Sequence, residues 1–316
     1  MEFRKLINFG KTSYVVSIPK DWIKKNNLKK GDVLGLEENE GTLSLTPNVK
    51  DIEDKPKSIE LDITGIDRTS IIYVIRSAYK LGYDEIKLIF KRPLAMHYRF
   101  NKEVKVISVV HEEVNRLVGI EVIQQKEDFC LIKDLSHPSP REFDNILRKV
   151  FLVLNDVTND VIEAVEKNNS ILLETVEEKH DSVTKFISYC LRLLNKRNKG
   201  GKDLLYYHIL SNLDKIMDVI KYCARDIIKI GNNLKKDSIE IFKKIQFAIN
   251  NYYDLFYNFE YNKVSRLYEN RDNVIRDIVK LASKKHPRRE MIVLEKASSI
   301  LELITDISET RMGIEV

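Results

Sequence analysis

The spacing of apolar residues divides the chain into three parts with different patterns. In the first part, short alternating runs rich in β-branched and aromatic residues predict small strands, and Pro19 after one run predicts the start of a short helix. Turn signals at residues 30–32 and 40–41 separate the later runs. The charged, proline-containing stretch NVKDIEDKPKS then predicts a linker. We therefore place a first domain at residues 1–50.

Residues 58–135 alternate between strand and helix patterns. SIELDI and DEIKLIF predict strands, and the segment between them predicts a helix capped by Asp67 and ended by Gly82. A second helix is predicted over residues 100–117, followed by a hairpin made of GIEVIQQ and FCLIKDL. The pattern indicates a small β-α-β-α-β-β domain.

From residue 138 to residue 316 the pattern is helical throughout. Basic, polar breaks such as NKRNKGGK separate amphipathic segments, as connections between packed helices usually do. Six helices are predicted, at about 141–167, 172–196, 202–231, 237–259, 264–284 and 288–312.

One helical motif occurs twice in this part. SNLDKIMDVIKYC and SSILELITDISET align Leu213 with Leu301 at a constant offset, which predicts two similar three-helix bundles in tandem. The apolar stripes expected to face inward are Leu213, Ile216 and Ile220 in one copy and Leu301, Ile304 and Ile307 in the other. Each copy also has two carboxylates one turn apart, Asp214 and Asp218, then Glu302 and Asp306. Such pairs repel mildly, so a nearby cation would stabilise them.

The composition excludes some classes of protein but does not identify a function. The 316 residues are 43% hydrophobic and 32% charged, and 53 basic against 48 acidic residues give a net charge of +5. This small net charge is compatible with nucleic-acid binding but is not by itself evidence for it. We expect a cytoplasmic protein, because neither a signal peptide nor a membrane-spanning apolar run is evident. The separated Cys130, Cys190 and Cys223 are expected to be reduced core residues.

The first part resembles the swapped-hairpin domain of the AbrB, or SpoVT-AbrB, family. Residues 3–47 share with it a basic start, a glycine turn, a strand ending in Ile-Pro, a short helix, a Leu-x-x-Gly-Asp turn and a final hairpin. The resemblance implies a DNA-binding homodimer that exchanges hairpins. Exchange also has a physical reason, because about 45 residues with so few apolar positions do not form a core alone.

The same resemblance implies which residues contact DNA. In that family, basic residues of the first strand and turn do so, which corresponds here to Arg4, Lys5, Lys11 and Lys20. Lysine at three of these positions argues against the recognition of specific bases, because the planar guanidinium group of arginine binds the guanine edge better than a lysine ammonium group does. An ordinary solvated basic surface is the alternative.

The helical part resembles the PhoU family of phosphate-uptake regulators, which consists of two three-helix bundles with acidic motifs. The matching stretches are NLDKIMDVIKYCA and ILELITDISE, and VEEKHD adds two further acids. Because these acids bind metal clusters in that family, the resemblance implies metal at Glu177, Asp181, Asp214 and Asp218, and at Glu302 and Asp306. The metal is left open among Mg, Mn, Fe and Zn. Asn273 replaces one acid of the second site, and simple solvation is the alternative for both sites.

Together these patterns predict a multidomain α+β protein. The middle domain resembles the segment that links such parts in archaeal phosphate-regulator-like proteins, and no ligand is assigned to it. We expect a DNA-binding regulator of phosphate homeostasis, with DNA, a second copy of the chain, and a phosphate transporter ATPase or another phosphate-signalling protein as partners, and no membrane insertion. The alternative is a metal-binding adaptor or metal-dependent enzyme in which the first domain only dimerises.

An enzyme is the less expected class. No glycine-rich phosphate loop, serine elbow or Cys-His arrangement is present in the sequence. His137, His180 and His286 are expected near helix starts or loops, as capping or surface residues.

Overall fold

The computed structural model describes residues 3–39, 42–47, 56–136, 142–196 and 201–316. It divides into two compact units, Met1–Lys57 and Ser58–Val316, which we describe separately. Residues 48–55 of the predicted linker, and His137, lie outside the described residues, and the last linker residue, Ser58, begins β5.

The N-terminal unit consists of two hairpins and a short helix. Strands β1 (Ile7–Phe9) and β2 (Ser13–Val15) pair antiparallel, and Gly10 in the turn has a φ of +79°, which glycine adopts without strain. Helix α1 (Lys20–Lys25) follows, and then β3 (Leu34–Asn39) pairs with β4 (Thr42–Pro47). None of the described side chains of this unit is buried.

The second unit begins with a four-stranded sheet in the order β5-β6-β10-β9. Strands β5 (Ser58–Asp62) and β6 (Glu85–Ile89) are parallel, whereas β9 (Ile120–Gln125) and β10 (Phe129–Asp134) form the predicted antiparallel hairpin. The crossover helix α2 (Arg68–Lys80) is capped as expected, because the Asp67 carboxylate accepts hydrogen bonds from the backbone N–H groups of the first turn.

The prediction of one helix over residues 100–117 is wrong for its first part. The helix, α3, covers only Val106–Val114. Before it, β7 (Leu94–His97) and β8 (Lys102–Lys105) form an additional hairpin around a 3₁₀ turn, Tyr98–Phe100. Asn101 ends this turn in the left-handed region, at a φ of 47°, where an α-helix cannot continue.

The remaining residues form helices close to the predicted bounds. They are α4 (Glu142–Lys167), α5 (Ser170–Glu174), α6 (Val176–Lys196), α7 (Asp203–Lys229), α8 (Lys236–Tyr257), α9 (Tyr261–Ser283) and α10 (Arg288–Glu315). The predicted helix at 172–196 is interrupted at Thr175, whose hydroxyl donates a hydrogen bond to the Leu172 carbonyl. Such a bond competes with the helical backbone pattern.

The helices pack as two three-helix bundles, α4-α6-α7 and α8-α9-α10, as the repeated motif predicted. All six residues of the predicted inner stripes are buried. The bundles meet through α7 and α10, which run antiparallel: His208 bonds to Thr310 near one end, and Asp226 pairs with Lys296 near the other. A second contact joins α4 and α8, where Phe151 packs on four aromatic rings of α8.

A buried arginine joins the α/β part to the first bundle. The side chain of Arg192 on α6 is 0% exposed and donates to the backbone carbonyls of Tyr79 and Tyr83, at 2.8 and 2.9 Å. It also pairs with Asp134 at 2.6 Å and with Asp84 at 3.4 Å. The α/β part and the first bundle are therefore fixed to each other by polar contacts as well as by their shared apolar core.

The three cysteines are free and buried, as predicted. Burial raises the pKa of Cys130, Cys190 and Cys223 to about 12, so all three thiols stay protonated and unreactive. Among the described residues, no helix is both long and apolar enough to cross a membrane.

Candidate nucleic-acid interface and charged cleft

The four predicted DNA-binding residues all lie on the surface of the N-terminal unit. Arg4 and Lys5 precede β1, Lys11 lies in the turn between β1 and β2, and Lys20 is the first residue of α1. All four side chains are exposed. The unit therefore presents cations on its first hairpin and at the start of its helix.

The same unit exposes an unusual number of large apolar side chains. Phe3 is 88% exposed and Phe9 is 70% exposed. The exposed set is Phe3, Leu6, Ile7, Phe9, Tyr14, Val15, Val16, Val33, Leu36 and Leu43. So many exposed large apolar side chains in one small unit indicate an interaction surface, because soluble proteins rarely expose large apolar patches otherwise.

In the second unit, the four acids predicted for the first metal site line one cleft of about 480 Å³. The cleft lies where α2 of the α/β part meets α6 and α7 of the first bundle. Glu177 and Asp181 come from α6, and Asp214 and Asp218 come from α7. The structure thus brings together four residues that the sequence placed on two separate helices.

Basic side chains from α7 and from the segment after α3 pair with three of these acids. Arg225 of α7 binds both carboxylate oxygens of Glu177, and Arg116, two residues after α3, pairs with Asp181. Lys221, also on α7, donates to Asp218 at 2.7 Å. The fourth acid, Asp214, accepts a hydrogen bond from the Thr184 hydroxyl at 3.1 Å.

His180 belongs to this cleft, which corrects the prediction that it is a capping or surface residue. Its side chain is only 13% exposed, and its ring nitrogens lie 3.0 Å from Asp218 and 3.2 Å from Asp181. Its Nε2 is also 2.8 Å from the Lys221 ammonium. The sequence feature that could have placed His180 in the cleft is its position three residues after Glu177, on the same face of α6. His286 is buried as well, between Ser238 and Glu290.

The pKa values of the cleft follow from burial and from these contacts. Burial raises the pKa of Asp218, but hydrogen bonds from His180 and Lys221 outweigh it and hold that pKa well below its ordinary value. Burial likewise opposes the hydrogen bond and charge of Arg225 at Glu177, and the pKa of Glu177 is lowered overall. Both groups are therefore anionic at neutral pH.

The positive charge that offsets the repulsion between these carboxylates thus comes from basic side chains of the protein itself. Within the part of the chain that the structure describes, no group of three or more histidine, cysteine, aspartate or glutamate side chains is arranged to hold a metal ion. Each of Glu177, Asp181 and Asp218 would have to release a basic partner to become a metal ligand. Metal binding at this cleft stays a prediction.

The two acids predicted for the second site lie elsewhere, on the exposed face of α10. Glu302 is 3.6 Å from Arg271 of α9, and Asp306 is exposed. Asn273, which replaces the missing acid, accepts a hydrogen bond from Arg276. Metal binding there also stays a prediction.

The fold and these sites define a multidomain α+β protein. A basic β unit, in which no described side chain is buried, precedes an α/β domain and tandem helical bundles. Residues 9–53 match the model of the family described as antidote-toxin recognition MazE, bacterial antitoxin. The prediction of an N-terminal domain of this AbrB-like type is confirmed.

A solved structure is also similar. It is the phosphate transport system regulatory protein PhoU from Streptococcus pneumoniae, with a TM-score of 0.45, 13% sequence identity, and coverage of 56% of this chain and 95% of that chain. No curated protein sequence matches.

Proposed function

We propose that this protein is a DNA-binding transcription regulator of phosphate uptake. The observation that carries DNA binding is the N-terminal unit, which exposes four basic residues and matches the MazE family model over residues 9–53. The link to phosphate comes from the sequence resemblance of the repeated helical motifs to the PhoU family. In this proposal the helical bundles sense the signal and contact a transporter ATPase or another phosphate-signalling protein.

DNA binding requires a dimer of the N-terminal unit. A unit in which no described side chain is fully buried gains little hydrophobic stabilisation within one chain, whereas burial of one large apolar side chain contributes about 1.5–3 kcal/mol. Hairpins exchanged with a second chain would cover residues such as Phe9, Val15 and Leu36. The dimer would also double the basic residues that face DNA.

The test is a salt titration of DNA binding with charge-reversed variants. The double variant Lys11→Glu, Lys20→Glu should weaken binding to a fluorescent duplex at least about tenfold and make the salt dependence shallower by about 3.6, because two phosphates per protomer, and therefore four per dimer, are no longer neutralised. The matched control is Lys229→Glu, Lys280→Glu, which changes the net charge equally on exposed faces of the bundles. Equal affinities of the wild type and the Lys11/Lys20 variant would overturn the proposal.

A second candidate function is supported by the four carboxylates in one cleft. In that case the protein is a metal-binding adaptor or a metal-dependent enzyme, and the N-terminal unit only dimerises. Turnover of a phosphoester by the metal-loaded wild type, together with no DNA binding, would favour this candidate.

A further inference from the structure

The additional β7-β8 hairpin of the α/β domain is strongly basic. Residues 91–105 contain five cations and one acid, Glu103. The cations are Lys91, Arg92, Arg99, Lys102 and Lys105, and all five are exposed. Within the described ranges, no carboxylate forms an ion pair with any of them, whereas Lys87 and Lys133 of the neighbouring sheet pair with Glu60 and Glu85. The hairpin therefore carries uncompensated positive charge.

Aromatic side chains accompany these cations at the tip. Tyr98 is 73% exposed and Phe100 is 62% exposed. Arg99 and Lys102 lie 5.7 and 5.8 Å from the centre of the Phe100 ring, close enough for cation–π attraction. The ring thus holds two cations at the tip without neutralising them.

An open groove of about 920 Å³ lies at the base of the hairpin. Lys91, Lys105 and Lys126 line it, together with the apolar residues Phe90, Leu94 and Ile107, and the acids Glu127 and Asp128 lie at its β9-β10 side. Basic side chains beside exposed apolar and aromatic surface fit a polyanion that also has flat apolar groups. Nucleic acid has this chemistry, and a two-stranded β-ribbon has the dimensions that a DNA major groove admits.

We propose that the basic hairpin, residues 91–105, is a second DNA-contacting surface of this protein, with its cations on backbone phosphates. The inference deepens the proposed DNA binding and rests on it for the identity of the polyanion. It gives the middle domain a role, because that domain adds phosphate contacts to those of the N-terminal unit. Phosphate contacts strengthen binding and fix position without reading sequence.

The experiment compares two triple variants of the full-length protein. In the hairpin variant, Lys91→Gln, Arg99→Gln and Lys102→Gln remove three exposed charges. In the control, Lys167→Gln, Lys229→Gln and Lys280→Gln remove three exposed charges from the helices. The probe is a fluorescent random-sequence duplex in a potassium chloride titration. We expect the hairpin variant to bind at least about tenfold more weakly, with a salt dependence shallower by about 0.9 for each phosphate that is no longer neutralised. The control should match the wild type.

The outcomes separate this inference from the proposed function. If the Lys11/Lys20 variant loses binding and the hairpin variant does not, the inference is overturned and the proposed function stands. If only the hairpin variant loses binding, the inference stands and the N-terminal assignment fails. Equal weakening of the hairpin variant and its control attributes the effect to net charge and overturns the inference. A wild type that binds no DNA overturns both.

A parallel measurement with phosphatidylserine vesicles tests the other polyanionic surface. Loss of vesicle binding in the hairpin variant, with unchanged DNA binding, would overturn the inference in favour of a membrane contact. Unchanged melting temperatures, measured by circular dichroism, are expected because all three replaced side chains are exposed.

Discussion

Arg192 offers a sharp test of how the α/β domain is held to the first bundle. The substitution Arg192→Met keeps an apolar stem of similar length against the Tyr79 ring, 4.7 Å from the guanidinium carbon, but removes the charge and all donors. Asp134, whose side chain is 3% exposed, then keeps only Lys196 as a basic partner, and the carbonyls of Tyr79 and Tyr83 each lose the hydrogen bond from Arg192, although the Tyr79 carbonyl still accepts one from the Gly82 N–H at 3.0 Å.

The expected cost follows from these losses. Removing one partner of a buried ion pair costs about 3–5 kcal/mol. Each lost hydrogen bond to a carbonyl adds about 0.5–1.5 kcal/mol. Because Lys196 keeps part of the compensation for Asp134, we expect a destabilisation of about 4 kcal/mol. For a unit of this size that corresponds to a melting temperature lower by about 8 °C.

Urea denaturation and differential scanning calorimetry measure the effect. Arg192→Lys is the control, because it keeps the charge but cannot bind four acceptors, so its cost should lie between those of the wild type and Arg192→Met. In a double-mutant cycle, Arg192→Met with Asp134→Asn should cost less than the sum of the single substitutions, because no unpaired charge remains. A cost below about 1 kcal/mol for Arg192→Met would refute the reasoning.

Three further outcomes are expected. Burial raises the pKa of Asp134, but hydrogen bonds from Lys196, Ser136 and Arg192 outweigh it and hold the pKa at about 2, below its ordinary value of 3.8. Its stabilisation, about 2 kcal/mol, should be complete above pH 4 and be lost between about pH 4 and pH 2, and Asp134→Asn should remove this part of the acid profile. If metal occupies the cleft, Asp214→Ala with Asp218→Ala should lower bound metal in elemental analysis, and no thermal shift of the wild type with Mg²⁺, Mn²⁺ or iron would argue against a metal site. Deleting residues 1–47 should convert the dimer to a monomer in sedimentation, whereas an unchanged dimer would place the interface in the second unit.

Features encoded by neighbouring residues could be predicted from the sequence. The cap at Asp67 and the inner stripes that begin at Leu213 and Leu301 depend on residues within a few turns of one helix, and both are confirmed. The β7-β8 hairpin could not be predicted in the same way. Its second strand has only four residues, and the left-handed conformation of Asn101 that closes it leaves no distinctive pattern.

The charged cleft shows a different limit. The family resemblance implied that Asp181 and Asp218 belong to one site, and in the structure both line one cleft. Their basic partners come partly from distant sequence, since Arg116 reaches Asp181 across 65 positions. The resemblance therefore indicated which acids lie together but not the basic side chains that pair with them.

The antiparallel contact between α7 and α10 has a consequence for the history of the repeat. These are equivalent helices of the two copies, and each supplies part of the surface that buries the other. A substitution at Asp226 or Lys296 therefore changes a contact that belongs to both copies at once. If the two bundles arose by duplication, the duplicated halves have been constrained to evolve as a pair since they first packed together.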